Sequence, residues 1–194
     1  MKESFDLFPT LVTTFTDVLS SSELDDVFKK LKKYKSSEED YSLIHGRSSY
    51  LLGKDILSKL GLTNLMQEKI DEYVNDLKYK PLTLVNSWFS IQDMGGMLKE
   101  HDHVGSVVSG VFYINVDGNS NPLVFENPNA VGNFINRKYA DKPSSYTYNL
   151  YRFFPKKGDL ILFPSWLRHG CEYNPNRTKD RTTISFNTEC QKLH

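Results

Sequence analysis

Two histidines separated by one residue are the first feature of this sequence that points to chemistry. His101 and His103 flank Asp102 at the end of a segment, 97–103, that we predict to be a strand. Side chains alternate between the two faces of a strand, so both imidazoles would point one way and Asp102 the other. Two imidazoles on one face can bind a single metal ion. His169, at the start of a later predicted strand, is the best-placed third ligand.

The last predicted strand carries a second polar pattern. Its side chains alternate so that one face is apolar and the other face polar. The polar face consists of Arg181, Thr183, Ser185 and Asn187. Burying such a face is costly unless a ligand or water satisfies it, and an arginine inside a barrel normally pairs with a carboxylate or phosphate. The alternative is an exposed polar face on an edge strand.

These residues lie in a part of the chain that is rich in predicted strands. After Pro81, short runs of β-branched and aromatic residues are separated by Gly, Pro, Asn and Asp. We predict strands near 82–91, 97–103, 107–116, 122–126, 146–154, 159–163, 168–173 and 180–188. Short strands without intervening helices indicate a sandwich or barrel of the jelly-roll type.

The first 80 residues are predicted to support this core. A strand interrupted at Pro9 is expected over 5–19, and two capping boxes indicate two helices. The boxes are Ser20 with Glu23, before a helix over 21–35, and Asn64 with Gln67, before a helix that ends near Lys78. The expected fold class is therefore mainly β with flanking helices, in one domain over 1–194 with its jelly-roll core at 81–190.

Composition excludes several classes of function. The 194 residues include 24 Lys and Arg against 24 Asp and Glu, a balance that argues against a general nucleic-acid binder. No apolar run approaches the roughly 20 residues of a membrane helix. The N-terminus lacks the features of a signal peptide, and two cysteines, Cys171 and Cys190, cannot form a disulfide framework. We expect a cytoplasmic protein without a membrane partner.

Three blocks of this sequence resemble the 2-oxoglutarate/Fe(II)-dependent oxygenases. The run from His101 to Tyr113, with Ser109-Gly110-Val111-Phe112-Tyr113 after the histidine pair, is similar to the His-x-His and Ser-Gly-Val-Tyr-Tyr pattern of a family common in bacteria and phages. The segments 158–169 and 181–187 fit the same family. Together the blocks are specific, and the resemblance extends over roughly 5–187.

The resemblance implies a double-stranded β-helix, which is a cupin-like jelly roll, with Fe(II) at its open end and 2-oxoglutarate as cosubstrate. It assigns the metal ligands as His101, His103 and His169. It assigns the distal carboxylate of the cosubstrate to Arg181, Thr183 and Tyr113. The residues that support these ligands would be Ser109, Ser185 and Asn187.

The metal ligands depart from the pattern of the wider superfamily. That pattern is two histidines and one carboxylate, whereas His103 here stands at the carboxylate position. A β-bulge that turns Asp102 inward would make Asp102 the alternative second ligand. We predict three histidines, which leave the Fe(II) site more positive and also suit zinc or nickel.

The implied reaction consumes 2-oxoglutarate and O2 and hydroxylates an unidentified primary substrate, either a small molecule or a protein. Tyr113-Ile114-Asn115 is similar to the Tyr-Leu-Asn of prolyl hydroxylases and favours a peptidyl side chain such as proline. Two alternatives stay open: a cupin-like three-histidine metalloenzyme without 2-oxoglutarate, and a non-catalytic jelly-roll binding module. A homodimer is compatible with the sequence, and the location would be the host cytoplasm if a phage encodes the chain.

Four further positions carry expectations. The polar segment 127–145 is either a substrate lid or an unconstrained surface insertion. Trp88 and Trp166 are expected in the core, and Cys171 is expected to behave as a small buried hydrophobe.

Overall fold

The computed structural model describes residues 2–4, 6–38, 40, 42–129, 139, 141–142, 144–171 and 175–190. The helices are α1 (Ser21–Leu31), α2 (Ile56–Leu60) and α3 (Thr63–Asp76). The strands are β1 (Thr13–Phe15), β2 (Leu43–Ser48), β3 (Leu82–Leu98), β4 (Val108–Asn115), β5 (Leu123–Glu126), β6 (Leu150–Phe153), β7 (Leu160–Pro164), β8 (His169–Gly170) and β9 (Arg181–Cys190).

The strands form two antiparallel sheets. The larger sheet has the strand order β1-β7-β4-β9-β3-β2, and the smaller has the order β6-β5-β8. Sequence neighbours are mostly not sheet neighbours, since β9 at the end of the chain lies between β3 and β4. This arrangement agrees with the predicted mainly-β fold class with flanking helices.

The helices cover one face of the larger sheet. Leu31 of α1 and Ile70 of α3 are fully buried, in one apolar cluster with Ile91, Ile184 and other residues of the sheet. The opposite face of that sheet contributes to a second cluster, which includes Phe163 of β7 together with Phe125 of the smaller sheet. The polar site described below lies on this second side, between the sheets.

β9 shows the alternation that its sequence predicts. Ile184 and Phe186 are fully buried in the cluster beneath the helices. Arg181, Thr183 and Ser185 line a cavity on the other face. The sequence-based alternative of an exposed polar face on an edge strand is wrong, because β9 pairs on both sides.

The predicted strand over 97–103 is wrong. β3 continues without interruption from Leu82 to Leu98, and residues 99–103 belong to no named strand. Only an isolated bridge joins His101 to His169. Gly105, with φ +87°, lies in a turn between this segment and β4. The long β3 is possible because both β2 and β9 pair with it, and β2 itself was not predicted.

The two capping boxes have different outcomes. Ser20 and Glu23 form the predicted box, since the Glu23 N–H donates to Ser20 Oγ and the Ser20 N–H donates to Glu23 Oε2. α1 ends at Leu31, four residues earlier than predicted.

The predicted box at Asn64 is wrong, because α3 begins at Thr63 without a side-chain cap. Gln67 instead bonds the backbone of β3, donating to the Leu82 carbonyl and accepting from the Leu84 N–H. Tertiary hydrogen bonds to a neighbouring strand have replaced the local cap. The strand expected over 5–19 is reduced to β1 in the described residues, and Phe5 lies outside them.

Candidate functional site

Three histidines converge between the two sheets. His101 and His169 exchange both backbone hydrogen bonds, with N–H to carbonyl distances of 2.9 Å in each direction. The N–H of His103 donates to the Ser165 carbonyl at 3.0 Å. Two segments nearly 70 residues apart in sequence are thereby fixed side by side.

The imidazole donor atoms of His101, His103 and His169 lie within 4.8 Å of one another. Their ring centroids are 4.5 to 5.1 Å apart. Neutral imidazole nitrogens bind zinc, copper, iron and nickel ions, so this set of donors fits a transition metal. The strand alternation used to predict this convergence does not apply here, because the first two histidines precede β4 in an irregular segment.

Backbone carbonyls determine which nitrogen of two rings is free. His101 Nδ1 lies 2.8 Å from the Lys99 carbonyl, and His169 Nδ1 lies 2.8 Å from the Leu167 carbonyl. A carbonyl only accepts hydrogen bonds, so each Nδ1 carries the proton and each Nε2 keeps its lone pair. Hydrogen bonding of the second nitrogen in this way orients histidines that bind metals.

Burial keeps two of the imidazoles uncharged. It lowers the pKa of His103 to about 4, with the His101 ring adding to the effect. Burial likewise holds the pKa of His169 well below its ordinary value. Both rings are therefore neutral at neutral pH, the form that coordinates a metal.

Asp102 is not part of this cluster. Its side chain is exposed at the edge of the cavity, and the cluster of candidate metal ligands in the described chain consists of the three histidines. The geometry thus favours the three-histidine set over the alternative in which Asp102 is the second ligand.

The histidines share a cavity of about 230 Å³ with the polar face of β9. This volume leaves room beyond one metal ion. The three residues that the resemblance assigned to the cosubstrate, Arg181, Thr183 and Tyr113, line it. Two of the three assigned supporting residues, Ser109 and Ser185, line it as well.

Arg181 is a buried cation without a buried anion. It is 5% exposed, and no carboxylate of the described residues lies within ion-pair distance of its guanidinium. Nη1 donates to Gln92 Oε1 at 3.2 Å, whereas Nε has no hydrogen-bond partner among the described residues. A carboxylate matches the donors that a guanidinium in this state presents to the cavity.

Tyr113 lies beside this guanidinium. The Arg181 Cζ atom is 5.4 Å from the centre of the Tyr113 ring. The Tyr113 hydroxyl is fully buried, and no residue in the described part of the chain lies in hydrogen-bond geometry to it. Burial raises the pKa of this phenol above its ordinary value, so the hydroxyl remains protonated and can donate.

A buried polar network supports the histidines from behind. Ser109 Oγ lies 2.8 Å from Ser165 Oγ and donates to Asn187 Oδ1 at 2.8 Å. Ser165 in turn holds the backbone of His103. Ser109 and Asn187 thus lie where the resemblance assigned supporting residues, and Ser165 joins them although the sequence analysis did not select it.

Further cavity residues were missed by the sequence analysis. Trp88, Ser90 and Gln92 of β3 all line the cavity. Their spacing of two residues was the available signal, because it places all three on one face of a strand. Trp88 is buried as expected, and its ring centroid is 5.9 Å from that of His103.

One expectation for a single residue is wrong: Trp166 is 54% exposed and does not belong to the core. Cys171 is buried as expected, and its sulfur also accepts a hydrogen bond from the Leu98 N–H and lines the cavity. Of the candidate lid at 127–145, residues 130–138, 140 and 143 lie outside the described residues.

No helix in the described part of the chain is long and apolar enough to cross a membrane.

Comparison with protein families gives one match. The model of a family described as "Putative 2OG-Fe(II) oxygenase" matches residues 86–187, which include β4, β7, β8 and the three histidines. Among proteins of curated function, none matches the sequence.

Several solved structures share the fold. HygX from Streptomyces hygroscopicus with nickel and 2-oxoglutarate bound is similar with a TM-score of 0.67 and 14% identity, over 95% of this chain and 84% of that one. A prolyl-4-hydroxylase from Pseudomonas putida has a TM-score of 0.65 and 12% identity, over 95% and 96%. A viral collagen prolyl hydroxylase from Paramecium bursaria Chlorella virus-1 has a TM-score of 0.58 and 13% identity, over 92% and 96%. These similarities confirm the predicted jelly-roll fold.

Proposed function

The chain belongs to the 2OG-Fe(II) oxygenase family, and we propose that it hydroxylates a C–H bond of a primary substrate in the cavity between its two sheets. As a member of this family it is a dioxygenase that uses Fe(II) and 2-oxoglutarate. In the proposed site His101, His103 and His169 hold the iron. Arg181, with Tyr113 and Thr183, binds the distal carboxylate of 2-oxoglutarate.

One observation supports this assignment above all others. A buried arginine that has no counter-ion in the described part of the chain lines the same cavity as three convergent histidines. A metalloenzyme without 2-oxoglutarate, or a binding module, would need an anionic ligand of its own to account for this cation.

The side chains have separate tasks in the proposed reaction. Bound Fe(II) supplies the activation of O2, by which 2-oxoglutarate becomes succinate and CO2 and the second oxygen atom enters the substrate's C–H bond. Arg181 neutralises the distal carboxylate, and the protonated Tyr113 hydroxyl is available to donate to it. The neutral imidazoles coordinate without losing a proton. The Trp88 ring lies near His103 and forms part of the cavity wall.

For the primary substrate, we propose a peptidyl side chain such as proline. The fold is similar to two prolyl hydroxylases, and the Tyr113-Ile114-Asn115 triplet supports the same substrate class. HygX, whose structure was also obtained with hygromycin B bound, has a similar fold, so small molecules belong in the same assay. Proline-containing peptides incubated with enzyme, Fe(II), 2-oxoglutarate and O2 should gain one oxygen atom by mass spectrometry. Succinate formation without peptide oxidation would contradict this substrate class.

The site itself is tested by anaerobic titration. Fe(II) followed by 2-oxoglutarate should produce a visible charge-transfer band in the wild-type protein. Arg181→Ala should weaken 2-oxoglutarate binding by about 100-fold, since hydrogen bonds to charged groups are each worth about 1.5–3 kcal/mol. His103→Ala should weaken binding of the metal. Arg152→Ala is the matched control, because Arg152 is exposed and does not line the cavity.

Two results would refute the assignment. Metal binding without any 2-oxoglutarate band would favour a cupin-like metalloenzyme. Absence of metal binding in a folded protein would favour a binding module.

A further inference from the structure

Gln92 lies directly opposite the cavity arginine. The register of β3 and β9 pairs Gln92 with Arg181, so the two side chains project from the same face of the sheet. Gln92 is 2% exposed, and its Oε1 accepts the Arg181 Nη1 hydrogen bond at 3.2 Å. In the described part of the chain, Gln92 Oε1 is the acceptor in hydrogen-bond geometry to the guanidinium.

Two neighbours, Arg181 and Cys171, fix the orientation of the Gln92 amide. A guanidinium has only donors, so it requires the amide oxygen. Gln92 Nε2 then points to Cys171 Sγ at 3.7 Å. The same sulfur accepts from the Leu98 N–H at 3.0 Å and from Asn121 Nδ2 at 3.2 Å. A flipped amide would place donor against donor at the arginine.

Gln92 orients the arginine without neutralising it. A glutamate in this place would form a buried ion pair with Arg181 and compete with any incoming carboxylate. The neutral amide instead holds Nη1, and within the described ranges of the chain Nε has no partner. The Tyr113 ring lies on one side of the guanidinium. The result is an oriented cation with free donors.

We propose that Gln92 is the positioning residue that turns Arg181 toward the distal carboxylate of 2-oxoglutarate. It would thereby set the preference for 2-oxo acids that carry a second carboxylate. This inference rests on the proposed function, in which Arg181 is the ligand of that carboxylate. In this role Gln92 acts through the arginine, whose Nη1 it holds.

The experiment compares two 2-oxo acids under anaerobic conditions. The charge-transfer band of the Fe(II) protein is titrated with 2-oxoglutarate and with 2-oxobutanoate, which lacks the distal carboxylate. The readout is the ratio of the two dissociation constants. Loss of orientation changes this ratio, whereas general damage to the fold or the metal site weakens both acids equally.

Two variants with different chemistry make the prediction specific. Gln92→Met keeps the volume but removes the acceptor, and should lower the preference for 2-oxoglutarate by about 10-fold, the equivalent of one hydrogen bond to a charged group. Gln92→Glu should lower the preference for 2-oxoglutarate by about 100-fold relative to wild type, because the new carboxylate would form an ion pair with Arg181. Gln67→Met is the control: Gln67 bonds β3 backbone away from the cavity, so its loss should lower Tm and leave the ratio unchanged.

The outcomes separate this inference from the proposed function. A wild-type protein with no preference between the two acids would overturn the proposed role of Arg181 and this inference with it. A strong wild-type preference that survives within threefold in Gln92→Met would overturn the role of Gln92 alone. Gln92→Met therefore decides the role of Gln92 even if Gln92→Glu does not fold.

Discussion

Gly170 packs tightly against the backbone of the segment that leads into His101. It follows His169 in β8, and a Cβ atom built on it would lie 2.9 Å from the Leu98 carbonyl oxygen. The same atom would lie 3.0 Å from both the Cα and the nitrogen of Glu100. All three neighbours are backbone atoms, so rotation of a side chain cannot relieve the contact. Gly170→Ala must therefore move β8 away from the segment that carries His101.

The size of this displacement follows from the distances. An ordinary van der Waals contact begins at 3.4 Å, so the two segments must separate by about 0.5 Å. Metal–ligand distances tolerate about 0.2 Å. Overpacking of this kind costs about 1–3 kcal/mol. Because the displaced segments carry His101 and His169, we expect most of this energy to be lost from metal binding. The affinity for the metal should therefore fall by about 10- to 100-fold.

The assay is an anaerobic Fe(II) titration of wild type, Gly170→Ala and Gly118→Ala. Gly118 is the matched control, because a Cβ atom there meets nothing within 4 Å. Thermal unfolding of the metal-free proteins shows how much strain the fold absorbs, at roughly 2–4 °C per kcal/mol for a chain of this size. A folded Gly170→Ala protein that binds Fe(II) within threefold of wild type would refute the reasoning.

Two further predictions concern stability. Ser109→Ala leaves the Asn187 Oδ1 acceptor without its recorded donor and should lower the free energy of unfolding by about 1–3 kcal/mol. Chemical denaturation beside the exposed control Ser58→Ala measures this, and equal midpoints would contradict the network. Burial raises the pKa of Tyr113 above its value in the unfolded chain. The protonated Tyr113 hydroxyl therefore contributes its full share of the free energy of unfolding below a pH of about 10, and this share is lost as the pH rises further. The free energy of unfolding, measured by denaturation between roughly pH 9 and 12, should therefore fall less steeply with pH for Tyr113→Phe than for wild type. Tyr79→Phe is the exposed control, and the same pH slope in both variants would contradict this prediction.

The sequence was most informative where a structural property depends on neighbouring residues alone. The alternation of β9 follows from the geometry of a single strand, and it correctly separated Arg181 and Thr183 from Ile184 and Phe186. The Ser20 capping box involves residues three apart and formed as predicted. The histidine types and the family pattern likewise indicated a metal site and the fold class from the printed chain.

Predictions failed where distant segments compete for the same groups. The second capping box at Asn64 did not form, because Gln67 found partners on β3. The strand expected over 97–103 ended at Leu98, because β3 takes its length from the partners on both its sides. Helix caps and strand ends are weak local preferences that tertiary hydrogen bonds override.

The chain by itself determined the kinds of donors in the site and which of them share a face of one strand. Only the tertiary structure decided that His101 would meet His169 through a backbone bridge and that Gln92 would face Arg181, 89 residues away. Register between strands so far apart depends on the packing of the whole sheet, whereas the alternation of side chains along one strand depends only on its backbone.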